Sequence, residues 1–379
     1  MRRASLRVVL FLFTFPLAVG CPHRSPVWSP DGAKVLILAG PAGEEIDKAA
    51  SQLWLADVAG GTARRLVCPG EGVRYLAAGW FDRESFHVAT GAWVNDSIKE
   101  GSERFWRVGA DGSSWKELSL PPPNEARATR RPPLAIRAGG KEALVYPSSG
   151  EEVRVVEVET GKDLLKLDPA ELVGPGPGGG FLVAAPEAND TGTIEIVAIG
   201  PDLKPLWRRK LSAIRDAIAK KAGKAPVEIV FNETTASLPP VKGEEASIGL
   251  NLIFSDVGWK DGIPGYHVRL SSASGDVLSF VHSVGLSGLA SSAGGALRVV
   301  LAPQPRAKVP VRIESLAVET GKSTRGAPLG GLEKEAVRGY ASDPDGKRLA
   351  VSVNTPGAAL WIFADGEVEK PRIIRLEEK

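Results

Sequence analysis

The sequence predicts an all-β chain made of one small four-stranded unit repeated several times. Three observations predict it. A glycine-type turn recurs seven times behind alternating apolar strands, at Gly61, Gly112, Gly161, Asp202, Gly275, Gly321 and Gly366. The steps between these turns are 51, 49, 41, 73, 46 and 45 residues, all but one of them the length of a single supersecondary unit. The 379 residues carry 43 glycines and 29 prolines, and helical periodicity is rare among them.

The first twenty residues differ from the rest. Arg2, Arg3 and Arg7 form a positive start, Leu6 to Leu17 is almost unbroken apolar chain, and Ala18-Val19-Gly20 supplies small residues ahead of Cys21. This is a secretory signal over 1–20, since an apolar run of about a dozen residues falls short of the roughly 20 that span a bilayer as a helix. Ala18-Val19-Gly20-Cys21 resembles the lipobox of bacterial lipoproteins, with Ala18 where that motif usually has leucine and Leu17 one place early. The resemblance implies lipidation at Cys21, a short tether over 21–24 and attachment to a membrane of the cell envelope. The alternative is an ordinary signal cut after Gly20. Pro22 is not the aspartate that often holds lipoproteins at the inner membrane, which points to the outer membrane. Cys68 is the second of two cysteines, too few for a disulfide scaffold or a four-ligand zinc site.

The first unit shows the pattern most clearly. Ser29-Pro30-Asp31-Gly32 has type I turn chemistry: serine opens it, proline fixes φ, aspartate tolerates the third position and glycine closes it. The strand ending at Trp28 therefore reverses into Lys34 to Leu38. Gln52 to Val58 follows, and Gly60-Gly61 turns it into Ala63 to Val67 as a hairpin. Later third strands, such as Phe105-Trp106-Arg107-Val108, Val153 to Val158, Ile194 to Ile199 and Leu360-Trp361-Ile362-Phe363, lead into the same second turn. Seven such turns predict a β-propeller of seven four-stranded blades over 25–379, closed by packing of the first blade on the last. The 73-residue step holds the excess: Leu211, Ile214, Ile218 and Ala222 follow helical spacing from a Ser212 cap, which predicts one amphipathic helix inserted at about 209–224. Arg208, Arg209, Lys210, Arg215, Lys220 and Lys221 make its other face basic.

Trp28-Ser29-Pro30-Asp31-Gly32, then Leu53-Trp54-Leu55-Ala56-Asp57, Gly60-Gly61 and Ala63-Arg64-Arg65-Leu66, resembles the WD40-like Pro-Asp repeat of TolB-type propellers. The last unit repeats it as Asp343-Pro344-Asp345-Gly346, then Leu349-Ala350 and Leu360-Trp361-Ile362-Phe363. The middle units have lost the Pro-Asp-Gly turn. The resemblance implies a propeller over most of 24–376 that works by binding a protein or an envelope ligand. It departs from TolB itself in having no α/β domain ahead of the propeller.

Removing the signal takes three arginines from a formal charge of +2 and leaves −1, so charge makes no case for nucleic acid. His23, His87, His267 and His282 lie in different units without a paired spacing, and no nucleophile elbow or metal motif is present. No catalytic residue, metal or cofactor is expected. The glycine run Gly174 to Gly180 lacks the Lys-Ser/Thr of a phosphate loop and reads as a flexible lead-in between blades. Asp343-Pro344-Asp345-Gly346 lacks the distal glutamate of a calcium loop. The competing expectation is a propeller enzyme, a lyase or hydrolase of sugars, with its active site at the channel mouth; a cluster of His, Asp and Arg there would favour it.

Strand direction places the binding face. First-to-second and third-to-fourth turns share one end of every blade, and they are tight. The second-to-third loops and the links between blades share the other end, where Gly40 to Ser51, Gly91 to Glu103 and Val257 to Gly265 are long. Trp93 and Trp259 lie in these segments and are the candidate binding residues.

Overall fold

The computed structural model describes residues 26–377 apart from 41–49, 71, 95–96, 100, 121–133, 137–139, 146–152, 168–170, 188–189, 223–228, 239–246, 255–263, 285–288, 294–295, 302–311, 318–321, 329–336, 345–346, 354–357 and 365–369. The described residues form seven antiparallel sheets in chain order, each a meander whose strands pair in sequence. Sheet one comprises Val27–Trp28, Lys34–Ala39, Gln52–Asp57 and Thr62–Leu66. Sheet two comprises Val73–Trp80, Ser85–Val94, Arg104–Gly109 and Trp115–Leu118, with Ser97–Ile98 paired onto the end of its second strand. Sheet three runs from Leu134–Ile136 to Asp163–Leu167, sheet four from Glu171–Pro175 to Pro205–Lys210, and sheet five from Ile229–Leu238 to Val277–Val284. Sheets six and seven run from Leu289–Ala293 to Lys322–Pro328 and from Val337–Ser342 to Arg372–Arg375.

Side-chain alternation explains how the sheets stack. Lys34–Ala39 is apolar at every interior position, and successive side chains leave a strand on opposite faces. Val35 and Ile37 enter a core shared with Ala350, Leu360 and Ile362 of sheet seven, whereas Leu36 and Leu38 enter one shared with Tyr75, Phe86 and Val88 of sheet two. Sheet four divides likewise: Phe181 and Val183 pack with Leu144, Val153 and Val155 of sheet three, and Leu182 and Ala184 with Ile248, Val268 and Leu270 of sheet five. At roughly 1.5–3 kcal/mol for each large apolar side chain buried, these inter-sheet layers are the main source of cohesion. The fourth strands read differently; Thr62–Leu66 and Asp163–Leu167 are largely exposed, as outer edges are.

The turns form where the residues require. Ser29 Oγ accepts the Lys34 amide at 2.9 Å, Asp31 Oδ1 accepts the Ala33 amide at 3.0 Å, and Gly32 closes the turn at φ 66°. In sheet seven Asp343 takes the place of Ser29, accepting the amides of Lys347 and Arg348 at 2.7 and 2.9 Å. Sheet two lacks Pro-Asp-Gly, yet Asp82 does the same work on the amides of Glu84 and Ser85 at 2.8 and 2.7 Å. The second turn lies between third and fourth strands wherever it is described, with φ of 66°, 67°, 69° and 73° at Gly61, Gly112, Gly161 and Gly275. Leu203 holds the same left-handed conformation at φ 62° in sheet four. Gly321 and Gly366 lie outside the described residues.

Three expectations need correction. The glycine run is no flexible lead-in between units. Gly174 and Pro175 end the first strand of sheet four, and the Gly176 amide donates to Gly180 O at 2.8 Å, so the run is that sheet's first-to-second turn. A side chain at Gly180 would place its Cβ 1.8 Å from Ile199 O, which is why glycine stands there. The helix, α1, spans Leu211–Ala222 and begins ahead of Ser212, which therefore lies within it rather than at its cap. Its apolar stripe meets the core as the spacing predicts, Ile214 and Ile218 packing between Trp207 of sheet four and Ile248 and Val268 of sheet five. Arg208 and Arg209 belong to the preceding strand, where they pair with Glu195 and Asp276, so the basic residues do not form one helical face.

Candidate binding face

The loop-bearing end of sheet two is the most completely described part of the candidate face. Its second strand, Ser85–Val94, starts at the tight-turn end and outruns the sheet: Val73, where the first strand begins, pairs with Ala92. Trp93 and Val94 lie beyond that pairing and bond back to Ile98 and Ser97. The projecting hairpin rests on Ile98, buried in the core between sheets two and three, and Gly91 is glycine because a Cβ there would lie 2.5 Å from the Ile98 side chain.

Trp93 is therefore a strand residue at a hairpin tip and not a loop residue, which corrects its predicted placement. Its amide donates to Gly72 O at 2.9 Å and its ring is half-buried against the core. The Arg74 guanidinium stands 4.9 Å from the ring centroid, a cation–π contact that holds the indole at the rim. Alternation along Val73-Arg74-Tyr75-Leu76 puts Arg74 on the face that turns towards sheet three, but only the fold shows that it meets Trp93. Val94 beside it is 47% exposed, and Val67, where sheet one's fourth strand leaves for sheet two, is 72% exposed. Tyr75 fixes this link: its hydroxyl accepts the Cys68 amide at 3.1 Å and donates to Leu66 O at 3.0 Å. Burial pushes the Cys68 thiol up to about 11, with a hydrogen bond from Thr90 working against the rise.

Trp259 and Cys21 lie outside the described residues, as do Asp345 and Gly346 of the last unit's turn motif. Trp28, Ser29, Pro30, Asp31, Gly32 and Pro344 lie at the opposite, tight-turn end, where Trp28 and Gly32 bond to sheet seven. Trp28 Nε1 donates to Ala341 O of sheet seven at 2.9 Å, and Trp80 Nε1 of sheet two donates to Val27 O at 3.1 Å. Sheet one's first strand is only Val27–Trp28, paired with Leu36 and Val35. Among the described residues it lies next to the tight turn, three residues short of the end of Lys34–Ala39.

The first strand of each sheet lies against that of its neighbour from sheet four through five, six, seven, one and two to sheet three. Among the described residues these first strands carry four charged side chains, Arg74, Glu171, Glu233 and Arg338, and neither histidine nor aspartate. His87 belongs to a second strand and is buried with its ring 5.4 Å from that of Phe81; desolvation pushes its pKa down to about 3, so it is neutral. His267 and His282 share sheet five, which corrects the expectation that the histidines fall in different units; they lie on adjacent strands, each opposite a different residue, Val281 and Tyr266. Among the described residues no group of three His, Cys, Asp or Glu side chains is placed to hold a metal ion. No helix among them is long and apolar enough to cross a membrane.

No protein-family model matches the sequence, and no curated protein matches it either. The successive four-stranded meanders that share cores with their neighbours have the architecture of a β-propeller, and the solved structures to which the chain is similar include WD40 and other β-propeller proteins. A chain of a mitotic checkpoint complex aligns with a TM-score of 0.50 and 11% identity over 90% of this chain and 87% of that one. A puromycin hydrolase gives 0.52 and 14% identity over 97% of this chain, which spans 56% of the hydrolase. The C-terminal WD40 domain of Sif2 gives 0.46 and 10% identity over 90% of this chain and 95% of that domain. At these identities the likeness concerns fold alone, and propellers serve both binding and catalysis.

Proposed function

We propose that this protein is a lipoprotein of the bacterial cell envelope, with 1–20 as its signal, a lipidated Cys21, and 25–379 as a closed ring of seven TolB-type blades. The ring binds a protein or an envelope ligand through its loop-bearing face, at the outer membrane facing the periplasm or the cell surface. The observation that carries the binding reading is the hairpin of sheet two, which projects past its sheet and presents Trp93 under Arg74. Tryptophan and arginine are the side chains that most often dominate binding energy at interfaces, and a hairpin braced by buried Ile98 presents them at little entropic cost. Ring closure is supported by the core that sheets seven and one share and by the contacts between successive first strands.

Two experiments test the proposal. Cys21→Ala should move the protein out of the membrane fraction; a variant that stays there excludes lipidation. Trp93→Ala and Trp259→Ala should weaken capture of a crosslinked envelope partner, with Trp93→Ala also lowering thermal stability through the lost packing of its ring. Capture that survives both and is lost on changing the opposite tight turns would place the binding face at the other end.

A further inference from the structure

We propose that the rim formed by Val67, Trp93 and Val94, at the loop-bearing end of sheets one and two, seats directly on the lipid bilayer. The inference rests on the lipoprotein reading and names the partner of that same face. It follows from the register of sheet one.

Val27 pairs with Leu36, three residues short of Ala39, where the second strand ends at the loop-bearing end. Those three residues cover roughly 10 Å of strand. Cys21 precedes Val27 by six residues, which reach at most about 20 Å when extended. A tether that follows the sheet to its loop-bearing end uses about half of that reach. The lipidated residue can stand no more than about 10 Å beyond the loop-bearing end. A bilayer's polar layer is itself about 5–8 Å thick on each side. An acyl chain entering the hydrocarbon from Cys21 thus brings that end of sheet one to within a few ångströms of the headgroup layer.

The residues at that end suit such a position. Val67 is the most exposed large apolar side chain among the described residues, and Val94 stands at the tip of a hairpin that outruns its sheet. Both occupy the rim of sheet one or of its immediate neighbour. Trp93 beside Arg74 is an amphipathic ring next to a cation, the pairing that favours the headgroup level, and exposed Lys99 follows on the same hairpin. Of the other exposed apolar residues, Leu164, Leu206 and Ile373 lie near the tight-turn starts of fourth strands, and Ile194 lies near the loop-bearing end of sheet four, away from the tether. The exposed apolar groups nearest the tether are thus on the side the tether pulls down.

The test uses the full-length lipoprotein, purified from membranes and reconstituted into phosphatidylethanolamine and phosphatidylglycerol vesicles carrying brominated acyl chains. Tryptophan emission should be quenched by the brominated lipid, and Trp93→Phe should lose most of that quenching while the protein stays on the vesicles. Val67→Glu with Val94→Glu, both exposed and harmless to the core, should lose it too. Equal quenching in wild type and Trp93→Phe, or none in the anchored wild type, overturns the seating and leaves the anchor standing. Absence of quenching together with loss of protein capture in the double glutamate variant would assign the rim to a protein. A wild type that does not remain with the vesicles overturns the lipoprotein reading and the seating together.

Discussion

Arg348 of sheet seven reaches Gly32 of sheet one, its Nη2 donating to the glycine carbonyl at 2.8 Å. The same guanidinium donates through Nε to Asp343 Oδ2 at 2.8 Å and lies 4.8 Å from the centroid of the Trp28 ring. One side chain therefore ties the tight turn of the last sheet to that of the first. The arrangement recurs with other cations: Lys34 Nζ donates to Ala110 O and Arg372 Nη2 to Ala59 O, both at 2.8 Å. A turn leaves carbonyls without strand partners, and a cation from the neighbouring sheet satisfies them.

Asp343→Ala should therefore be costly. It removes the acceptor of two amides and of a half-buried guanidinium from a residue only 2% exposed, and a loss of about 3 kcal/mol is expected for such a network. Urea denaturation measures it. Asp111→Ala, at an exposed turn, should lose less, and equal losses in the two variants would show that the seam between sheets seven and one is not special.

Gly161→Ala should destabilise by about 2–4 kcal/mol, because φ is 69° and the new Cβ would lie 1.9 Å from Ser119 O. Leu203→Gly tests the same conformation from the other side. Relief of a left-handed leucine is worth about 1–2 kcal/mol and opposes the loss of its packing on sheets three and four, so stability should stay within about 1 kcal/mol of wild type. Thermal unfolding of both variants decides; a Gly161→Ala protein as stable as wild type would mean that the turn has another conformation.

The sequence showed the repeat and where each sheet's last turn falls, because glycine at positive φ leaves a mark that no packing can substitute. It did not show that Leu203 would hold the same conformation, since the third and fourth strands of sheet four impose it, nor that Asp82 replaces the lost Pro-Asp-Gly turn. The helix was legible from Ile214 and Ile218, whose spacing is set by one face meeting the core. Arg348 and Arg74 escaped notice for a different reason. Their partners, Gly32 and Trp93, are distant in the chain or meet them only through a pairing register, and a linear pattern holds no trace of either contact. Trp93 was found as an aromatic in a long segment, but the strand that carries it was hidden by Gly91, a weak strand former that is there to admit Ile98.

Cys68 gives a direct count of thiols. Its burial and raised pKa should make it unreactive in the native protein at pH 8, because the thiolate is the reacting form. After unfolding in urea, a thiol reagent should titrate one group per chain if the Cys21 sulfur is held in a thioether. Two groups would show that Cys21 carries no lipid, and none would show that the cysteines are joined.

His87 should make stability depend on pH. It faces Gly79 and Phe81, with Arg107 directly opposite on the next strand, and its neutral form is the one the native protein accepts. An unfolded histidine titrates near 6.5, while burial holds the native value at about 3. Between those values the unfolded chain binds a proton that the native protein refuses, so the contribution of His87 is complete above pH 6.5 and is lost as pH falls towards 3. From pH 6.5 to pH 5 the loss should be about 2 kcal/mol. His87→Leu keeps a side chain of similar size against Phe81 and removes the titrating group. Urea midpoints at pH 7.5 and pH 5 for both proteins give the comparison: wild type should lose about 2 kcal/mol more than the variant on acidification. If both lose the same amount, the unfolded chain gains no advantage from protonating His87, and the acid sensitivity resides elsewhere.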